Sequence, residues 1–162
     1  MIQAGRLVKP KLAKRLRRGL NDPMSGSGPQ EDAPLVEGID HLVLTVRDLE
    51  RSAEFYRRVL GMTVAQRRPG GLSLHFGRQK LNLHQHDAEI HPRAERPTPG
   101  AADFCLLAAR PLEEVAAHLE RQGVELVAGP VARQGACGPM SSVYFRDPDG
   151  NLIEVARYQE KP

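Results

Sequence analysis

Residues 38–62 read GIDHLVLTVRDLERSAEFYRRVLGM, and this stretch decides the fold. Its opening, IDHLVLTV at 39–46, is an apolar, β-branched run suited to a buried strand. Asp48 is placed to cap the helix LERSAEFYRRVL, and Gly61 to end it in a left-handed conformation. Working outward, short strands are expected at about 62–68, 72–77 and 80–86. Pro69-Gly70-Gly71 marks one turn between them and Gly77 to Gln79 the other. A polar, proline-rich loop then fills 87–100.

The second half repeats the plan. AADFCLLA at 101–108 reads as a strand, and Pro111 falls where a first helical turn tolerates it. The helix LEEVAAHLERQ ends at Gly123, and a strand follows at 124–128. A Gly/Pro-rich loop is expected at 129–139, then strands near 140–146 and 151–158 joined by Asp147-Pro148-Asp149-Gly150. A constant shift of 62 lays His41 on Asp103, Gly61 on Gly123, Met62 on Val124 and Val64 on Leu126. Such regularity means two copies of one module. One copy is too small to bury its sheet face alone. The expected fold is therefore α+β, with two tandem βαβββ modules whose curved mixed sheet surrounds a cavity, in one domain over 35–159.

Composition narrows the functional classes. Hydrophobic residues make up 40% of the 162 and charged residues 27%, as in ordinary globular proteins. No apolar run approaches the roughly 18 residues of a membrane span. Cys105 and Cys137 are too few for a disulfide scaffold or a four-thiolate zinc site, and they suit a reducing, cytoplasmic setting. The net charge of +3 is unevenly placed. Residues 1–22 carry seven basic groups against Asp22, whereas the other 140 residues hold 16 basic and 19 acidic groups. The body is mildly acidic, so nucleic acid is not its expected partner. The segment 1–34 reads as a basic extension and linker. Leu12, Leu16 and Leu20 would give it a helical apolar stripe, with mitochondrial targeting or a membrane-surface contact as the functional alternative to a disordered extension.

Side chains alternate across a strand, so residues of equal parity share a face. His41 shares one with Val43 and Thr45, and its repeat-mate Asp103 shares one with Cys105 and Leu107. In LNLHQH, His84 stands with Asn82 and His86; in NLIEVAR, Glu154 stands with Leu152 and Ala156. A metal-competent group thus falls in the first and last strands of both modules. Paired about a pseudo-twofold axis, His41, His84, Asp103 and Glu154 would converge on one cavity as a divalent-metal set with open positions. His75, His91 and His118 have no matched partners and read as structural, with His86 a reserve ligand.

GIDHLVLTVRDLERSAEFYRRVLGM and YFRDPDGNLIEV resemble the opening and closing signatures of the vicinal oxygen chelate superfamily, over about residues 37–158. That superfamily includes glyoxalase I, extradiol ring-cleaving dioxygenases, methylmalonyl-CoA epimerase, fosfomycin-resistance thiol transferases and bleomycin-binding proteins. FGRQKLNLHQ, RPTPGAADFCLL and GPVARQGACGP are similar to its branch called glyoxalase domain-containing protein 5. The resemblance implies a first ligand at His41, a second at His84, a third at Asp103 and a last at Glu154. The third position is usually His, so an extradiol dioxygenase would need His84 in its place, with shifted geometry.

The resemblance implies a metal-dependent small-molecule enzyme whose divalent ion, Fe(II), Mn(II), Ni(II) or Zn(II), chelates two vicinal oxygens of the substrate. A glyoxalase-like lyase or isomerase is slightly favoured, with Glu154 or Asp103 as the base. An extradiol-type dioxygenase and a metal-free binding protein of the bleomycin-resistance kind are the alternatives. Arg68, Lys80 and Arg133 are the candidate basic groups at the cavity mouth. The loop ARQGACGPM is expected to adapt over the cavity, while DPDGN supplies a tight hairpin into the Glu154 strand. A homodimer is expected as well, with the site formed within one chain or across two.

Overall fold

The computed structural model describes residues 34–68 and 71–159; the extension with its leucine stripe lies outside them. The chain divides into units 1–37 and 38–162, and both modules lie in the second. The first module runs β1 (His41–Val46), α1 (Leu49–Leu60), β2 (Thr63–Arg68), β3 (Gly71–Phe76) and β4 (Gln79–Gln85). The second runs β5 (Asp103–Leu107), α2 (Leu112–Arg121), β6 (Leu126–Gly135), β7 (Gly138–Arg146) and β8 (Leu152–Tyr158). Each forms a four-stranded mixed sheet, in the orders β1-β4-β3-β2 and β5-β8-β7-β6, with the first and last strands parallel. The expected βαβββ repeat is present in both halves.

Local signals work as read. The Asp48 carboxylate accepts a hydrogen bond from the Arg51 amide at 2.9 Å, satisfying a free N–H of the first turn. Gly61 ends α1 at φ 68°, and Gly123 follows α2 at the same φ. Helix α1 buries Ser52, Ala53, Tyr56 and Val59, one stripe at helical spacing. Alternation sends Leu44 and Val46 of β1, and Leu81 and Leu83 of β4, into the core. They join Val143, Phe145, Ile153 and Val155 of the second sheet in one cluster. Among the described residues no helix is long and apolar enough to cross a membrane.

Two expectations need correction. The Gly/Pro-rich segment 129–139 is mostly strand: β6 continues to Gly135 and β7 starts at Gly138. ARQGACGPM is thus the end of a long hairpin, and Cys137 lies exposed in its turn. The glycines serve close approach. A Cβ on Gly129 would lie 2.6 Å from the Ser142 carbonyl oxygen, and one on Gly135 2.7 Å from the Tyr158 hydroxyl. The register with β7 overrides the loop-like composition, with bulges between Leu126 and Val131 absorbing the mismatch.

The DPDG turn does more than close a hairpin. The Asp147 carboxylate, buried, accepts from the Tyr56 hydroxyl at 2.8 Å, from Asn151 Nδ2 at 2.7 Å, and from the amides of Asp149 and Asn151 at 2.9 Å each. Asp149 accepts from the Arg47 guanidinium at 3.0 Å and from Ser52 Oγ at 3.4 Å. The turn of the second module is thereby latched onto β1 and α1 of the first. Burial first, then the neighbouring Asp147 carboxylate, pushes the Tyr56 phenol far above its usual range, so it stays a donor.

Candidate functional site

Each helix packs on its own sheet, so the opposite sheet faces hold no helix. On the first sheet the register sets three rows across β1, β4 and β3: His41–Lys80–His75, Val43–Asn82–Ser73 and Thr45–His84–Gly71. On the second, Asp103 sits opposite Leu152, and Cys105 opposite Glu154, which in turn lies opposite Tyr144. These two open faces carry all four sequence-derived ligands. His41 and His84 share the first face; Asp103 and Glu154 share the second.

The four do not converge within one chain. Among the described residues no three His, Cys, Asp or Glu side chains stand close enough to hold one ion. The physical reason is the layering: the modules join through their core sides and the Asp147 corner, which leaves the open faces turned away from the shared core.

His41 Nδ1 lies 2.6 Å from Asp40 Oδ1. This hydrogen bond, reinforced by the charges of His41 and Lys80, holds the Asp40 carboxyl below its usual range. With Nδ1 donating to a carboxylate, Nε2 is the nitrogen left to ligate, which is how second partners orient metal-binding imidazoles. Asp40 went unread in the sequence, although its place directly before His41 was the available signal. His84 is nearly buried, at 8% exposure, and lines a cavity of about 90 Å³ with Val43, Thr45, Ile90 and Arg93, partly roofed by the 86–97 loop. His86 lines the same cavity from an exposed position. A larger groove of about 760 Å³ beside α1 and the start of β6 contains none of the candidate ligands.

On the second face Asp103 is exposed, and Glu154 is half-buried with Oε1 sealed from water and without a hydrogen-bond partner. Burial, then the neighbouring Glu154 carboxylate, pushes the Cys105 thiol up to about 11, so Cys105 is a poor nucleophile at neutral pH. Arg133 Nε donates to the Tyr144 hydroxyl at 3.0 Å, with the guanidinium 5.3 Å from that ring's centroid. Of the three basic candidates, Lys80 and Arg133 thus stand on open faces, while the Arg68 side chain lies outside the described residues. His118 Nε2 contacts the Val59 carbonyl at 3.1 Å, a structural role as read. Histidine and carboxylate donors with a sealed, unpaired carboxylate oxygen fit a borderline divalent ion.

Comparison with known proteins follows the same line. The virulence protein STM3117 of Salmonella typhimurium is 46% identical over 124 residues, spanning 76% of this chain and 86% of its own. Its crystal structure matches with a TM-score of 0.75 at 45% identity, covering 78% of this chain and 100% of that one. The glyoxalase domain-containing protein RDO1 of Mycosarcoma maydis is 46% identical over 125 residues, 77% of this chain and 70% of its own. A lactoylglutathione lyase from Agrobacterium tumefaciens matches with a TM-score of 0.60 at 27% identity, covering 75% of this chain and 94% of that one. The family model for the Glyoxalase/Bleomycin resistance protein/Dioxygenase superfamily matches residues 38–155. By fold, paired signatures and this match, the chain belongs to that superfamily.

Proposed function

We propose that the protein is a metal-dependent enzyme acting on a small molecule with two vicinal oxygens, with a glyoxalase-like lyase or isomerase reaction favoured. The observation that carries this reading is Glu154. A carboxylate oxygen sealed from water without a partner is costly, and it stands on one face with Asp103. His41, oriented by Asp40, and a second donor on β4, where the sequence reading puts His84, would hold the ion from the other face. A bound Fe(II), Mn(II), Ni(II) or Zn(II) would supply Lewis-acid stabilisation of negative charge on the substrate oxygens. Glu154 or Asp103 would take up and return the substrate proton. Arg133, steadied on Tyr144, and Lys80 would meet an anionic part of the substrate.

Because the donors divide between two faces, the reading requires two copies, the first face of one chain meeting the second face of its partner. Val43 and Leu107, 49% and 67% exposed on these faces, would gain cover in that pairing. The lyase or isomerase is favoured over an extradiol-type dioxygenase because Asp103 makes the set rich in carboxylates and because of the similarity to the lyase. The small cavity beside His84, with its mixed polar and apolar lining, supports a second reading, binding of a small molecule without metal.

Metal content of anaerobically purified protein tests the reading. Wild type should carry near-stoichiometric ion and Glu154→Ala should lose most of it. Iron would point to dioxygenase chemistry, and nickel or zinc to glyoxalase substrates. Co-expressed His41→Ala and Glu154→Ala chains should regain about a quarter of the sites if two copies build each one, since about half of the dimers are mixed and each mixed dimer has one intact site. No metal in wild type after reconstitution would leave the binding module as the account.

A further inference from the structure

The groove of about 760 Å³ is built by both modules and holds no candidate ligand of the metal centre. Its first wall is α1, where Arg51, Phe55 and Arg58 follow one another at i, i+4 and i+7 and so share a stripe. Its second wall is Leu126 and Val127 at the start of β6, with Arg146 at the end of β7. The apolar part is firm. The half-buried Phe55 ring is set against Tyr56 and Phe145, with centroids 5.5 and 6.3 Å away, and Val127 is left 53% exposed. A concave site of this volume, apolar with a few placed polar groups, is of the size that takes a small organic molecule.

The charges around it do not cancel. Arg58 Nη1 donates to the Gln122 carbonyl and to Gln122 Oε1, both at 2.8 Å, and Arg146 Nη1 donates to the Gly150 carbonyl at 2.9 Å. Neutral acceptors thus hold two guanidiniums in place and leave their charge uncompensated. The acids of the groove are committed elsewhere. Glu54 is gripped by Arg57 through Nε at 2.9 Å and Nη2 at 2.8 Å, and Asp147 is buried under the four donors of its corner. Three arginines therefore face the groove against Glu125, the remaining acid of its lining.

We propose that this groove is a second small-molecule site, separate from the open sheet faces, which takes an amphipathic organic anion. An apolar or aromatic body would lie on Phe55, Leu126 and Val127, and a carboxylate, sulfonate or phosphate head would lie among Arg51, Arg58 and Arg146. Guanidinium forks bind such oxyanions through paired N–H donors, and the same charge disfavours a cationic occupant. The walls come from α1 of the first module and from β6 and β7 of the second, beside the Asp147 corner. A bound molecule joins the two modules and stabilises the folded chain by mass action.

Fluorescence titration of the full chain with 8-anilinonaphthalene-1-sulfonate, an aromatic sulfonate, tests this directly. N-phenyl-1-naphthylamine, the same rings without the sulfonate, is the neutral control. Wild type should bind one sulfonate probe per chain, about tenfold or more tightly than the neutral one. Arg51→Glu and Arg58→Glu should each weaken the sulfonate by about tenfold or more. Arg78→Glu, in the exposed turn between β3 and β4, should leave it within about twofold. Saturating sulfonate should raise the Tm of wild type and leave that of Arg51→Glu unmoved. Arg51 lies in the first turn of α1, where an acid suits the helix dipole, so this variant keeps the test intact if loss of the Gln122 anchor unfolds Arg58→Glu. Unchanged affinity in Arg51→Glu and Arg58→Glu puts the probe elsewhere and overturns the proposal. Equal affinity for the two probes, equal loss in all three variants, or no saturable binding by wild type overturns it as well.

Discussion

The Asp147 corner and the open sheet faces bury polar groups in opposite ways. At the corner the buried carboxylate takes four hydrogen bonds, two at each oxygen, and Asn151 carries the network on by accepting from the Ala102 amide at 2.9 Å. On the open faces, both amide atoms of Asn82, Ser142 Oγ and Glu154 Oε1 are buried without partners. One region is complete in the single chain. The other is complete only with something added. A saturated buried network contributes rigidity, whereas an unsaturated one is costly unless a ligand, ion or second chain supplies the missing partners.

The largest effect should come from breaking the saturated region. Asp147→Ala strands the Tyr56 hydroxyl and the Asn151 side chain and removes the turn's internal acceptor. Each buried donor left unpaired costs about 1 to 3 kcal/mol, so urea unfolding should show a large fall in midpoint. A fall no larger than that of a surface variant would mean that the modules are held by apolar contact alone, such as Phe55 against Phe145 at 6.3 Å. Tyr56→Phe should do less, about 1 to 3 kcal/mol, because Asp147 keeps three donors. The same measurement checks it, and a negligible change would show that the corner tolerates a lost donor.

That contrast also marks what the sequence could and could not tell. The Asp48 cap, the Gly61 stop and the shift of 62 are local or periodic signals, and all of them appear in the structure. Strand parity likewise placed His41 with Val43 and Thr45, and Asp103 with Cys105, on the faces away from the helices. The β6–β7 hairpin was not legible, because its glycines and prolines read as loop and only the register with β7 makes them strand. Nor was the Asp147 latch, whose partner Tyr56 is 91 residues away in sequence. Packing explains why the faces do not meet in one chain. The repeat predicts symmetry, but it does not say whether symmetric faces close on each other or on a second copy.

The sharpest small test uses one chemical change in both regions. Ser52 and Ser142 are both buried, at 1% and 0% exposure. Ser52 Oγ donates to Asp149 at 3.4 Å, while Ser142 Oγ has no partner. Removing the first hydroxyl discards a hydrogen bond to a carboxylate and should cost about 1 kcal/mol. Removing the second discards only a desolvated, unpaired group and leaves a space of one oxygen atom, so Ser142→Ala should raise stability by up to about 1 kcal/mol. At this chain length each effect is a shift of roughly 2 to 4 °C in Tm, and thermal unfolding of the two variants beside wild type should show opposite signs. Equal destabilisation by both would mean that Ser142 is paired in solution, by water or by a second chain. The unsaturated face would then already be complete before any substrate arrives.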